Sequence, residues 1–262
     1  MGNVLELYQL ARCLGTEQPF YGLRSFGLDE NESPYIQMAD IATHHIKAIL
    51  EIQPSGPYRL GGHSFGGKVA FEMAQQLLVM GQQVSLLAIF DIQATVADKE
   101  KDAANWDDTQ YIIELASMFG RMLGEEFQVS PDTLQKLDFE EQLNYLQSAL
   151  KMAGQQFTLL EIAQIFRVFQ ANMLAMTQYM PSEVYPHPIT LFRTKEIHPH
   201  DDFLPDEATS LKDPTWGWNK LSTPPLNFHI VPGNHFTMMM EPHVGSLAQQ
   251  LRVYLEPIET KE

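Results

Sequence analysis

The chain of 262 residues has little cysteine, little positive charge and no long apolar run. Its one cysteine, Cys13, excludes an internal disulfide and a cysteine-rich zinc site, and its apolar helical surroundings indicate a small buried hydrophobe. The 17 basic and 33 acidic residues give a net charge of −16, which argues against a protein that binds nucleic acid or an anionic membrane. No apolar run reaches about 18 residues and no basic-then-apolar signal opens the chain, so we expect a cytoplasmic protein without a membrane span.

What the sequence does contain is an alternation of short apolar runs and helical segments. Five runs bounded by turn residues predict buried strands at positions 20–23, 58–62, 86–91, 189–193 and 228–231. Apolar residues three and four apart predict helices at 4–14, 35–52, 69–79 and 244–255. The pair Ser33-Pro34 is typical of a helix start and marks the second of these. Such alternation predicts an α/β fold, a mostly parallel sheet flanked by helices.

The middle of the chain departs from this pattern. Between about Val96 and Tyr185 a charged linker and three helical stretches, 109–123, 139–152 and 159–179, replace the strands. We therefore predict one domain in which residues 1–95 and 186–262 form the two parts of the core and residues 96–185 a helical insertion. Methionines are concentrated in the insertion, and they indicate either ordinary core packing or a deformable apolar wall for a long substrate.

A possible nucleophile lies where a predicted strand meets a predicted helix. Gly62-His63-Ser64-Phe65-Gly66 fits the pattern G-x-S-x-G. A sharp, strained turn is needed to lift a serine oxygen out of a sheet, and Gly62 and Gly66 are expected to support that turn because they lack side chains. Ser64 is therefore the predicted nucleophile.

The same residues also fit much of a phosphate-binding loop. Gly62 and the pair Gly67-Lys68 have the required spacing, and the following apolar strand ends in Asp91, a possible magnesium ligand. The motif fails at Val69, where Ser or Thr must give a hydroxyl to the metal. We therefore prefer the hydrolase interpretation.

A serine hydroxyl needs a positioned base, and the sequence offers one together with a carboxylate. Asp91 ends the next predicted strand after Ser64, and His235 follows the last predicted strand. Neighbouring parallel strands end at the same edge of a sheet, so we expect these side chains to meet there. In this arrangement His235 takes the Ser64 proton and returns it to the leaving group, while Asp91 orients the ring and stabilises the imidazolium.

The other histidines are weaker candidates for catalysis. His63 is expected to support the turn by packing, His229 to be a structural strand residue, and His44 and His45 to be surface or partly buried helix residues. A proline-rich loop holds a loose cluster of His and Asp without the spacing of a zinc site, so no metal site is predicted. This cluster is His187, His198, His200, Asp201 and Asp202.

Three segments together resemble the terminal (type I) thioesterase domains of non-ribosomal peptide and polyketide synthases. They are YRLGGHSFGG at 58–67, FD at 90–91 and VPGNHF at 231–236, with supporting matches at 18–23 and 188–193. The resemblance spans nearly the whole chain and implies an α/β-hydrolase fold with a helical lid. It also implies an acyl or peptidyl thioester substrate, carried on the phosphopantetheine of an upstream carrier protein, and no cofactor of its own. Ser64 would take the chain as an ester, which water or an internal nucleophile would then release as an acid, macrolactone or macrolactam.

One departure concerns the start of the chain. The family pattern opens with an apolar strand and a His-Pro-x-Gly-Gly-like loop, whereas this sequence begins Met1-Gly2-Asn3-Val4, so we expect the first strand to be missing. An oxyanion hole needs two converging N–H donors. Phe65 is predicted to supply one, and the resemblance implies that the missing loop supplies the other.

Two alternative functions therefore stay open. One is a stand-alone editing thioesterase, and the other is a truncated, catalytically silent domain that binds a carrier protein or an acyl chain. In each case a strongly acidic chain gains nothing from long-range attraction to an acidic carrier protein. Local basic residues such as Arg24, Lys68 and Lys195 are expected to guide docking.

Overall fold

The structure of the protein is a computed structural model that describes residues 2–94, 102–124, 129–181, 183–196, 204–205 and 207–255. The chain divides into two compact units. The larger comprises Val4–Leu23, Met38–Ala97 and Met180–Glu262, and the smaller comprises Met1–Asn3, Arg24–Gln37 and Asp98–Tyr179. The smaller unit thus contains most of the predicted insertion together with two segments that precede the first strand.

The sheet lies in the larger unit and is parallel throughout the described residues. Its strands are β1 (Tyr58–His63), β2 (Val84–Phe90), β3 (Thr190–Thr194) and β4 (Asn227–Val231), in the spatial order β1-β2-β3-β4. Four of the five predicted strands are confirmed, and their carboxyl ends share one edge of the sheet.

The fifth prediction, a strand at 20–23, is wrong. Phe20 is 37% exposed and Tyr21 is 67% exposed, so this apolar run does not enter the core. Near this segment, Arg59 of β1 donates a side-chain hydrogen bond of 3.4 Å to Gln18. A run of four apolar residues has no periodicity that separates a strand from an exposed loop.

The described residues also form α-helices. They are α1 (Tyr8–Leu14), α2 (Met38–Ile52), α3 (Phe65–Val79), α4 (Asp108–Leu123), α5 (Pro131–Leu134), α6 (Phe139–Met152), α7 (Leu159–Gln178), α8 (Glu207–Lys212) and α9 (Val244–Leu255). Short 3₁₀ helices span Leu5–Leu7, Asp102–Asn105 and Trp218–Lys220. The predicted helices of the insertion are confirmed to within a residue at each end.

Both faces of the sheet are covered because strand side chains alternate in direction. On β2, Leu86, Ala88 and Phe90 join a buried cluster with residues of α1 and α9. Leu87 and Ile89 point to the opposite face, where α3 packs against β1 and β2. Burial on both sides accounts for the nearly continuous apolar character of β2.

Helix α2 starts later than predicted. It begins at Met38 rather than at position 35, so Ser33-Pro34 does not form its start. The chain passes from the smaller unit to the larger between Gln37 and Met38, and this passage interrupts the helical pattern. The helix buries His45, which is 7% exposed, more fully than the predicted surface or partly buried position.

Three helices of the smaller unit begin at capping boxes. In a capping box the N-cap side chain accepts a hydrogen bond from the backbone N–H of the third helical residue, whose side chain accepts one from the N-cap N–H. The pairs are Asp107 with Gln110, Asp138 with Glu141 and Thr158 with Glu161. Met173 and Met176 of α7 are buried, whereas Met152 is 86% exposed, so the methionines have no single role. Among the described residues no helix is long and apolar enough to cross a membrane.

Candidate active site

β1 ends in a sharp turn that presents the Ser64 hydroxyl. Ser64 has φ 54° and ψ −130°, a conformation that non-glycine residues rarely adopt. Its N–H donates to the Phe90 carbonyl over 2.9 Å, and its own carbonyl accepts from the Gly67 N–H over 2.8 Å. Backbone hydrogen bonds on both sides therefore hold the strained residue in place.

The glycines around Ser64 are not equivalent. A Cβ on Gly62 would lie 1.9 Å from the Gly66 carbonyl oxygen, so this position requires glycine. A Cβ on Gly66 would meet no atom within 4 Å, and the prediction that Gly66 must lack a side chain for close packing is therefore wrong. The second crowded position is Gly67, where a Cβ would lie 2.9 Å from Ile92 Cγ2 and 3.0 Å from the Gly62 carbonyl oxygen.

The structure brings the three predicted side chains together. His235 Nε2 lies 3.1 Å from Ser64 Oγ, and His235 Nδ1 lies 3.0 Å from Asp91 Oδ2. An ionised Asp91 accepts the Nδ1–H, which leaves Nε2 unprotonated and facing the serine hydroxyl. Asp91 is fully buried and His235 is 7% exposed, so little water competes for these bonds. The geometry suits transfer of the Ser64 proton to His235.

A threonine that the sequence analysis did not identify fixes the carboxylate. Asp91 Oδ1 accepts from the Thr194 backbone N–H at 2.6 Å and from Thr194 Oγ1 at 3.0 Å. The two carboxylate oxygens are thus divided between Thr194 and His235. Thr194 is the last residue of β3, the strand beside β2, and only its position at the shared edge of the sheet could have indicated this role.

The loop that carries His235 is held by Asn234. The Asn234 side-chain oxygen accepts from the N–H groups of Phe236 and Thr237, at 3.0 and 3.1 Å. Gly233 has φ 87°, and a Cβ there would lie 2.8 Å from the ring of His243. These contacts explain why the motif before the histidine reads Gly-Asn.

His63 packs against the ring of His235, and its predicted support of the turn stays a prediction. The two ring centroids lie 4.7 Å apart with an interplanar angle of 36°. His63 Nδ1 lies 3.6 Å from Glu6 Oε1, in the 3₁₀ helix Leu5–Leu7, so the site also holds a carboxylate that the sequence analysis missed. Nothing in the spacing of Glu6 and His63 along the chain indicates that they meet.

Phe65 is the first residue of α3, so its N–H has no acceptor within the helix. The N–H is therefore suited to receive an oxyanion beside Ser64. Its role as an oxyanion donor stays a prediction.

Two interpretations that involve Lys68 are wrong. The Lys68 side chain is fully buried, so it neither reaches a bound phosphate nor offers a docking charge at the surface. The carboxylate of Asp91 faces His235 rather than a metal. Of the other proposed docking residues, Lys195 is exposed and Arg24 pairs with Asp29 in the smaller unit.

The remaining histidines have local contacts. His229 Nε2 lies 2.7 Å from the Tyr254 hydroxyl, its ring stacks on Phe192 at 5.0 Å, and burial lowers its pKa. Within the described ranges, no three His, Cys, Asp or Glu side chains group as they would around a metal. Of the loose cluster noted in the sequence, positions 198 and 200–202 lie outside the described residues.

Comparison with protein families gives one match over nearly the whole chain. A family model described as a thioesterase domain matches residues 2–253. Chondramide synthase of Chondromyces crocatus is 32% identical over 252 residues, which are 94% of this chain and 6% of that protein. Indigoidine synthase of Dickeya dadantii is 37% identical over 123 residues, which are 45% of this chain and 8% of that protein. The chain thus spans a small part of the length of these relatives.

Solved structures share the fold. The Vlm2 thioesterase domain is 26% identical and has a TM-score of 0.63, with 96% of this chain and 89% of that chain covered. A four-domain nonribosomal peptide synthetase, holo-AB3403, is 26% identical with a TM-score of 0.84, covering 98% of this chain and 19% of that one. These similarities, together with the parallel sheet, confirm the predicted α/β class.

Proposed function

Because the chain belongs to the thioesterase domain family, we propose that it releases an acyl or peptidyl chain from the phosphopantetheine thioester of a carrier protein. Ser64 is the nucleophile, His235 the general base and acid, and Asp91 the residue that orients His235. The substrate would come from a carrier domain upstream, a proposal supported by relatives that are named as synthases and by a neighbour that is a four-domain synthetase.

The first half of the reaction transfers the chain to the enzyme. Ser64 Oγ attacks the thioester carbonyl carbon while its proton passes to His235 Nε2, 3.1 Å away. The imidazolium formed is stabilised through Nδ1–H by Asp91. When the C–S bond breaks, His235 gives its proton to the departing sulfur, and the chain remains as an ester on Ser64.

The second half releases the chain. Water, or an amine or hydroxyl of the chain itself, loses its proton to His235 and attacks the ester carbonyl. The Ser64 oxygen then leaves and takes the proton back from His235. Water gives a free acid, whereas an internal nucleophile gives a macrolactam or macrolactone.

The observation that carries this proposal is the hydrogen-bonded chain from Ser64 through His235 to Asp91. It lies at the carboxyl edge of a parallel sheet, with the serine in a strained strand-to-helix turn. Such a turn exposes a serine oxygen to substrate while the neighbouring strands deliver its partners.

Covalent labelling tests the nucleophile. A fluorophosphonate should add one label to the protein in intact mass spectrometry, and Ser64→Ala should abolish the label. Ser55→Ala, which changes an exposed serine before β1, is the matched control and should label like the wild type. Persistent labelling of a folded Ser64→Ala variant would exclude Ser64.

Turnover tests the base and the substrate class. His235→Ala should lower the hydrolysis of a long-chain acyl thioester on a carrier protein by at least about 10³-fold, because the hydroxyl is no longer activated. Preference for an acetyl group over the long chain would favour an editing thioesterase instead. Absence of release at every pH would indicate a domain that only binds.

A further inference from the structure

Two charged or titratable residues of the site, Glu6 and His63, have no part in the proton transfers described above. Both lie beside the catalytic imidazole: His63 packs its ring on His235, and Glu6 faces His63 Nδ1 at 3.6 Å. The His63 side chain is 7% exposed and that of Glu6 is 38% exposed. A buried histidine is thus placed between the catalytic imidazole and a carboxylate at the protein surface.

The ring nitrogens of His63 are both buried, and within the described residues neither makes a hydrogen bond. The Glu6 carboxylate is the charge that faces them. Burial by itself would raise the pKa of Glu6, but the interaction with His63, together with smaller contributions from the terminal amino group and from His235, outweighs burial and lowers it to about 2. Glu6 is therefore negative throughout the pH range in which a histidine base titrates.

The imidazolium of His235 forms only while the acyl group is being transferred, so a negative charge nearby stabilises that stage more than the resting enzyme. Among the described residues, His235 contacts Asp91 at Nδ1, Ser64 at Nε2 and the rings of His63 and Phe236. Arg193 lies near Asp91, and its positive charge opposes part of the Asp91 field. Glu6, which faces His63, supplies a second negative charge near His235.

We propose that Glu6 and His63 are a positioning pair for His235. His63 fixes the plane of the imidazole by ring contact, and Glu6 holds His63 and favours the protonated form of His235 during acyl transfer. The proposal rests on the proposed function of Ser64, Asp91 and His235, and it names two residues whose contribution to the reaction is indirect.

Glu6→Gln tests the pair because it keeps the size of the side chain and removes its charge. The value of kcat/KM for a small acyl thioester should fall by about 3- to 10-fold, the effect of removing one charge near the imidazolium in a partly solvated site. The acidic limb of the kcat/KM profile should move to lower pH by about half a unit, because His235 then binds a proton less readily. Loss of structure alone would lower activity without moving the limb.

Two matched variants separate charge from other effects. Glu6→Asp keeps the charge and should retain the wild-type position of the acidic limb. Glu51→Gln removes an exposed carboxylate from the last turn of α2 and should change neither the limb nor kcat/KM. An unchanged profile in Glu6→Gln, or an equal shift in Glu51→Gln, would overturn the proposal.

A measurement without turnover keeps this test distinct from the test of function. The His235 ring signals, assigned by their loss in His235→Ala, can be titrated by NMR in the wild type and in Glu6→Gln. The titration midpoint of His235 should be lower in Glu6→Gln, and an unmoved midpoint would refute the pair. A wild-type protein that hydrolyses no thioester would count against the proposed function, while the titration would still decide the role of Glu6.

Discussion

The two glycines that flank Ser64 in the G-x-S-x-G pattern should respond in opposite ways to alanine. In Gly62→Ala the new Cβ would lie 1.9 Å from the Gly66 carbonyl oxygen and 2.5 Å from the Gly67 nitrogen. These are backbone atoms, so no side chain can move to relieve the overlap and the turn itself must open. In Gly66→Ala the Cβ meets no atom within 4 Å, and the residue lies in the first turn of α3.

The magnitudes follow from these contacts. Replacing a helical glycine by alanine stabilises by about 0.5–1 kcal/mol, so Gly66→Ala should raise Tm by roughly 1–4 °C. Opening the turn in Gly62→Ala costs about 3 kcal/mol or more, which lowers Tm by at least roughly 6 °C. Gly67→Ala should fall between them, because its nearest contact is the Ile92 side chain, which can move.

Differential scanning calorimetry and the rate of fluorophosphonate labelling together measure the effect. Gly62→Ala should also label at least about 100-fold more slowly than the wild type, since a displaced turn separates Ser64 from His235. A Gly62→Ala protein with wild-type Tm and labelling rate would refute the packing argument. So would a Gly66→Ala protein that is destabilised as much as Gly62→Ala.

Three further predictions concern residues around the core and the site. Thr194→Val removes the Oγ1 donor to Asp91 but leaves the backbone donor, so kcat should fall by about 3- to 10-fold. The control Thr43→Val, at an exposed threonine, should keep full activity. Burial and the nearby His44 lower the pKa of His45 to about 4. Between pH 6.5 and 4 an unfolded His45 binds a proton but the folded one does not, so Tm should fall as the pH decreases through this range. The fall in Tm should be smaller in His45→Gln. Lys68→Glu should lower Tm by at least roughly 6 °C because it places a carboxylate at a fully buried position, whereas Lys195→Glu, at an exposed position directly after β3, should keep the wild-type Tm.

The elements that the sequence predicted well are those whose local pattern has one physical explanation. The apolar runs that became β1 to β4 are bounded by turn residues and alternate with helical periodicity, and both signals demand burial. The run at residues 20–23 is also bounded by turn residues, but its four residues are too few to show a periodicity, and its aromatic side chains are exposed in the structure. The start of α2 was misplaced since a passage between the two units leaves no mark in a helical pattern.

The candidate site divides in the same way. Ser64, Asp91 and His235 were found because each follows a predicted strand, and the topology of a parallel sheet brings such positions to one edge. Thr194 and Glu6 carry no motif, and their contacts join residues far apart in the chain, with Asp91 and Thr194 separated by 103 positions. A pattern in the sequence cannot predict such contacts, because they depend on the three-dimensional packing at the edge of the sheet.

Backbone hydrogen bonds that continue past the ends of the strands fix the positions of Ser64 and Asp91. Ser64 N–H donates to the last carbonyl of β2, at Phe90, and Asp91 N–H donates to the Phe192 carbonyl of β3. Both residues have positive φ, 54° and 52°, although neither is glycine. A strained residue persists when its surroundings hold it in place, and here the neighbouring strand does so at each position. The register of the sheet therefore sets the distance between nucleophile and carboxylate, and any change that shifts β2 against β1 or β3 should disturb both at once.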